Sequence, residues 1–190
     1  MRTALSSVAL AALLAATGAA QSPGHYTFSG DHLAFYNLAG VVRVEPATGA
    51  AVTVDVQRGG HDADKLKIET GPVRGHDGLR VIYPDDDIVY DRLGDHANST
   101  LNVRDDGTFG DDDGGHRGAD GGRRVRVSGD GSGVAAYADL RIGVPAGRAV
   151  IVHLGVGRVT ISNVDGDLRI DVASADVSGT GSKGSLAVST

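Results

Sequence analysis

GVGRVTISNVDGDLRIDVASADVSGTGSKGSLAVST (155–190) reads as one short two-strand unit written twice. Gly157 over Ala175 sets a repeat of 175 − 157 = 18 residues. Val159 then falls on Val177, Gly166 on Gly184, Leu168 on Leu186 and Ile170 on Val188. Apolar residues alternate with polar ones, the period of a strand with one buried face. A unit repeated at fixed spacing predicts stacked strands, each covering the core of the one before. It predicts an extended surface rather than an enclosed catalytic site.

The pattern continues upstream. RAVIVHLGVG (148–157) has Val150, Val152 and Leu154 on one face, with Ile151 and His153 on the other. His153 is expected on the exposed or inter-layer side of that strand. ADLRIGVPAG (138–147) places Leu140, Ile142 and Val144 on one face and stops at Pro145. RRVRVSG (123–129) alternates Val125 and Val127 with Arg124 and Arg126, a strand with a basic face. Near the start of the fold, VVRVEPATGAAVTVDV (41–56) gives two alternating runs around a turn at Pro46–Gly49. These predict two adjacent strands. KLKIET (65–70) and LRVIY (79–83) predict two more, and Pro84 ends the second. No helix is expected after residue 22.

Composition agrees with thin β layers. Hydrophobic residues make up 41% of the chain, but aromatics only 4%, with no Trp, so Val, Leu, Ile and Ala must supply the core. Net charge is −6, and no basic stripe offsets it, which argues against nucleic acid as a partner. The absence of Cys excludes disulfides, thiolate metal sites and Cys nucleophiles. Residues 1–20 have the form of a signal peptide. Arg2 opens it, Val8–Ala16 is too short an apolar run to span a bilayer, and small residues suit cleavage after Ala19 or Ala20. The expected compartment is the periplasm or surface of a bacterium, with no transmembrane span after cleavage.

The chain divides into the signal (1–20), an N-terminal β part (25–84), an acidic low-complexity loop (85–122) and β-solenoid repeats (123–190). Asp crowds 85–122 and apolar residues are sparse there, so the segment is read as a long, partly disordered loop. A short pairing around Thr100–Val103 is the one exception expected within it. The repeats end at Thr190 without a polar capping unit, which predicts either a fragment or an exposed edge at Val188.

Several of these stretches together resemble a bacterial adhesin-like family of exported domains whose function is unknown. They are an N-x-x-G-x-V opening (Asn37, Gly40, Val42), an apolar-Tyr-Pro strand end (Ile82, Tyr83, Pro84), a V-P-x-G turn (Val144, Pro145, Gly147) and a run of G-x-V/L-x-I/V units. The resemblance covers about 33–84 and 123–190. It implies an all-β, right-handed β-helix-like solenoid of short strands, into which the Asp/Gly-rich loop is inserted. It supplies no catalytic or ligand residues.

Each chemical motif has a plainer reading beside it. Asp105, Asp106, Asp111, Asp112 and Asp113 are the candidate metal ligands, because calcium takes about six to eight hard oxygens. Their spacing does not fit an EF-hand, and GGHRGADGG (114–122) only approximates a calcium-binding nonapeptide. A solvated acidic loop is the leading reading, and no other cofactor is expected. His96 and His116 flank the same loop as two isolated zinc-type ligands. GTGSKG (179–184) matches G-x-G-x-x-G, but strand follows it where a dinucleotide site needs a helix, so it reads as a turn. Asp165 and Asp167 flank Gly166 in another turn. They lack the aromatic platform that a sugar-cleaving pair would use. No catalytic residue is assigned.

The function expected is that of an exported, non-catalytic envelope or surface module. It would present outward side chains such as Arg158, Thr160, Asp167, Arg169 and Asp171 to a cell-envelope or extracellular component. The alternatives are a β-helix enzyme acting on a polysaccharide and a calcium-responsive envelope sensor.

Overall fold

The computed structural model describes residues 23–110 and 122–190. Within them every regular element is a β-strand, apart from two 3₁₀ turns at Ala63–Lys65 and Asp91–Leu93. The strands are β1 (Gly24–Phe28), β2 (Leu33–Pro46), β3 (Val52–Gly59), β4 (Lys67–Thr70), β5 (Asp77–Ile82), β6 (Asp87–Val89), β7 (Asn98–Arg104), β8 (Gly122–Ser128), β9 (Val134–Ala135), β10 (Tyr137–Val144), β11 (Arg148–Ser162), β12 (Gly166–Thr180) and β13 (Leu186–Ser189). No helix among the described residues is long and apolar enough to cross a membrane. The expected signal segment lies outside them.

The larger sheet has nine strands, with main order β1-β3-β10-β2-β11-β12-β13; β5 pairs with the first part of β2, and β4 pairs with β5. Strands β10, β2, β11, β12 and β13 run parallel to their neighbours in that order, and β1 and β3 are antiparallel. The fold is therefore all-β with mixed strand direction. The strands at its centre are long, not short: β11 and β12 each have 15 residues.

The 18-residue repeat is a pairing register. Arg148 lies opposite Gly166 and Leu168 opposite Leu186, so each strand pairs with the sequence 18 positions on (166 − 148 and 186 − 168). That register forces β11 to bend. Ser162 to Gly166 is a four-residue step of at most about 14 Å, whereas a straight strand of 15 residues would run about 50 Å. The bend falls where the ladder skips Gly155 and where Gly157 takes φ 134°. Gly40, its partner on β2, takes φ 144°. A Cβ on Gly157 would overlap the Gly40 carbonyl, and a Cβ on Gly40 would overlap that of Ala138. Only glycine lets the backbones approach this closely at the corner.

Side chains stack in columns across the parallel strands. Val56, Leu140, Val42 and Val159 form one inner column, and Val54, Ile142, Val44 and Ile161 the next. All eight are buried. Burial of such side chains contributes roughly 1.5–3 kcal/mol each, so these columns hold the sheet's centre together.

Two expectations change here. The runs at 41–46 and 52–56 are not adjacent, because β10 lies between them, antiparallel to β3 and parallel to β2. Residues 47–51 thus bridge one intervening strand, and Ala47 N–H anchors that bridge on Val144 O at 3.0 Å. The segment read as an acidic loop carries β6 in its described part, and the short pairing expected around Thr100–Val103 falls in β7. These strands form a four-stranded sheet with β8 and β9, in the order β7-β8-β6-β9. Ile88, Leu101, Val103 and Phe109 supply its buried side. Few apolar residues suffice because β8 adds Val125 and Val127 to the same core.

Candidate functional site

Beyond the bend at Gly157 the strands turn one polar face outward. His25, Asp55, Arg141, Arg43, Thr160 and Ser178 sit side by side on β1, β3, β10, β2, β11 and β12. The adjacent row holds Gln57, Asp139, Val41, Arg158 and Asp176. Neighbouring strands lie about 4.8 Å apart, so the first row spans about 24 Å of regularly spaced charge and hydroxyl.

Ion pairs knit this face across strands. Arg141 Nε donates to Glu45 Oε1 at 2.6 Å, and the His25 ring approaches Asp55 at 2.6 Å. Arg158 reaches Asp176, eighteen residues on, at only 3.7 Å, with both side chains mostly in water (63% and 83% exposed). A pair so exposed is worth little and opens easily. At one border Arg92 donates to Asp139 Oδ2 (2.8 Å) and Tyr137 Oη (2.6 Å) and lies over the Tyr137 ring. Burial pulls the Arg92 pKa down, but the Asp139 hydrogen bond and charge outweigh it, so the guanidinium is held above its usual value. Burial likewise pushes the Tyr90 phenol up. Between Tyr90–Leu93 and the Arg158–Asp176 edge lies an open groove of about 540 Å³.

The other arm of the bent strands presents a second face. Asp167 Oδ1 accepts from Ser185 N–H (3.1 Å) and Oγ (2.7 Å), which lowers the Asp167 pKa. Arg169 approaches Asp171 at 3.0 Å. His153 is fully buried between layers, stacked on Tyr36 with ring centroids 4.3 Å apart and planes at 1°, and Phe109 closes over both edge-on. Asp171 stands 3.5 Å from His153 Nδ1. The outward side chains expected to work as one ladder therefore divide: Arg158 and Thr160 on one face, Asp167 and Arg169 on the other, while Asp171 turns largely out of solvent toward His153.

The candidate metal ligands are not assembled by what is described. Asp106 spends Oδ1 on Thr108 N–H (2.9 Å) and Oγ1 (2.7 Å), and Asp105 is exposed. Asp111, Asp112, Asp113 and His116 lie outside the described residues. His96 is 92% exposed beside Asp130. Among the described residues no three His, Asp or Glu side chains converge as a metal site. GTGSKG closes β12 and leads into β13. Its Gly181 (φ 65°) repeats Asn163 (φ 55°), one register earlier.

The stretches that carry the family resemblance meet in space. Asn37 Nδ2 donates to Ala138 O (2.6 Å) and Ala39 O (3.2 Å), and the Tyr83 hydroxyl lies 3.0 Å from Asn37 Oδ1 and 2.9 Å from Ala39 O. Desolvation pushes the Tyr83 phenol far above its usual range, so it remains a donor. This buried network sits directly under the Gly40 corner. It positions the outward face rather than joining it.

No known protein family matches this chain, and neither does any curated protein or solved structure.

Sequence reasoning missed the Arg43–Arg141 pairing and the Arg92 clamp. The two arginines stand 141 − 43 = 98 residues apart, and only the parallel register of β2 and β10 brings them side by side. No local signal announces it.

Proposed function

We propose that this protein is an exported, non-catalytic binding or structural module of the bacterial envelope, adhesin-like in its action. Its bent parallel strands are coils of a β-solenoid. The observation that carries this reading is the in-register offset of 18 residues between β11, β12 and β13. It repeats one apolar–polar alternation at strand spacing, which sets polar side chains at regular intervals over an open surface. Multivalent contact with a repeating partner uses such a surface, because weak single contacts add within one encounter. The signal-type stretch at residues 1–20 supports export. The family resemblance supports an envelope role by analogy alone.

The test is retention of the purified mature protein on envelope fractions from a panel of bacteria. Wild type is retained, and Arg158→Ala with Thr160→Ala weakens retention without moving the melting midpoint. An exported reporter fusion checks the compartment. Wild type that passes through every fraction removes this reading.

A further inference from the structure

Arg43 and Arg141 face outward as direct neighbours on parallel strands. Like charges held opposite one another cost stability. Glu45 neutralises Arg141 through a 2.6 Å hydrogen bond. Arg43 is exposed and forms no ion pair among the described residues. Its neighbour on the other side is Thr160, with Ser178 beyond. Among the described residues, Arg158, two positions before Thr160, is held by one long, solvated ion pair to Asp176. Asp55 also stands opposite Arg141 on β3, so Arg43 is left as the guanidinium of this row without an ion pair among the described residues, bordered on one side by hydroxyls.

We propose that Arg43 centres a subsite for the carboxylate of an acidic polysaccharide; this rests on the binding-module reading and names its ligand class. A guanidinium matches a carboxylate with two parallel N–H···O bonds. Thr160 and Ser178 offer donors and acceptors to the hydroxyls of adjoining sugar units. The side chains of this row are exposed or half-buried, so the face does not enclose most of a small molecule's surface. An extended polymer can instead engage Arg141, Arg43, Thr160 and Ser178 in turn. The ligand's charge also relieves the Arg43–Arg141 repulsion, so binding and face stability are coupled.

The experiment is affinity electrophoresis of the mature protein through gels carrying polygalacturonate, polyphosphate or neutral dextran, with the envelope-retention assay run in parallel. Polygalacturonate slows wild type and dextran does not. Arg43→Gln weakens that retardation about tenfold, the size of one charged hydrogen-bonded contact, and Arg43→Lys weakens it less. Melting midpoints of both variants stay level or rise, because the like-charge neighbour is removed or softened. Arg124→Gln with Arg126→Gln, on the exposed side of β8, leaves retardation intact. Retardation by polyphosphate alone, or retardation unchanged in Arg43→Gln, overturns the proposal. Wild type retained on envelope material yet not slowed by polygalacturonate overturns this proposal and leaves the module reading standing. Wild type retained by neither overturns both.

Discussion

Removing the Asn37 side chain should be among the costliest polar substitutions in the molecule. Asn37 is fully buried. Its amide donates to Ala138 O and Ala39 O, at 2.6 and 3.2 Å, and its carbonyl lies 3.0 Å from the Tyr83 hydroxyl. In Asn37→Ala the Tyr83 hydroxyl keeps Ala39 O as a partner at 2.9 Å. The Ala138 carbonyl loses the Asn37 amide, and the Ala39 carbonyl keeps only the hydroxyl. Each lost hydrogen bond costs about 1 kcal/mol and a buried orphan about 1–3 kcal/mol, giving roughly 2–4 kcal/mol in total. In a chain of this size that lowers the melting midpoint by roughly 5–15 °C. Tyr83→Phe costs less, about 1–3 kcal/mol, since it chiefly strands Asn37 Oδ1 and the Ala39 N–H that reaches the hydroxyl at 3.2 Å. Both single variants remove the Asn37–Tyr83 bond, so the double variant should fall short of the sum by about 1 kcal/mol. The assay is urea unfolding followed by far-UV circular dichroism, since there is no Trp to report by fluorescence. Single losses below about 0.5 kcal/mol, or strict additivity, would refute the network.

The other predictions concern the register and its edges. Gly157→Ala should unfold the chain or destabilise it by more than about 3 kcal/mol, because it combines positive φ with overlap on the Gly40 carbonyl; a soluble variant with a wild-type melt contradicts the corner. Asp167 should titrate below its usual 3.8, and Ser185→Ala should bring it back up. Because the folded pKa is the lower one, its contribution is present above about pH 4 and fades as pH falls through the depressed value; carboxyl NMR shifts against pH check this. Calcium followed by EDTA should leave the melting midpoint in place, while a reversible rise would bring Asp105, Asp106 and Asp111–Asp113 back as ligands. Leu186→Lys with Val188→Lys should raise solubility with little loss of stability, since these apolar side chains on edge strand β13 are already 45% and 47% exposed. Unchanged light scattering at high protein concentration would show that this edge does not self-associate.

What could be read from the sequence is what one strand decides alone. Val52, Val54 and Val56 announce a half-buried strand because period 2 maps onto one face. The 18-residue spacing could be read for the same reason, since a parallel ladder pairs identical phases of a repeat. Strand neighbours were harder. β10 enters between β2 and β3 from almost a hundred residues downstream, and nothing in residues 41–56 records the gap it fills. Beyond a short pairing at Thr100–Val103, residues 85–110 read as loop because their few apolar side chains count for little without Val125 and Val127, which complete that layer from the far side of the acidic stretch. The candidate face was half legible. Arg158 and Thr160 stood out by repetition, whereas Arg43 gains meaning only beside Arg141.

The bend also separates the two tasks of each strand. Columns such as Val56–Leu140–Val42–Val159 and Asp55–Arg141–Arg43–Thr160 run through the same strands with the same spacing. The first is closed to water and fixes the register, because slipping by one residue would turn every valine outward. The second is held by that register and adds little to it. Its side chains are exposed or half-buried, and the like charges of the register neighbours Arg43 and Arg141 oppose folding. A face supported in this way can keep like charges adjacent without losing the fold. The core therefore sets where the face stands, and the choice among Arg, Thr and Ser on it sets what it can hold.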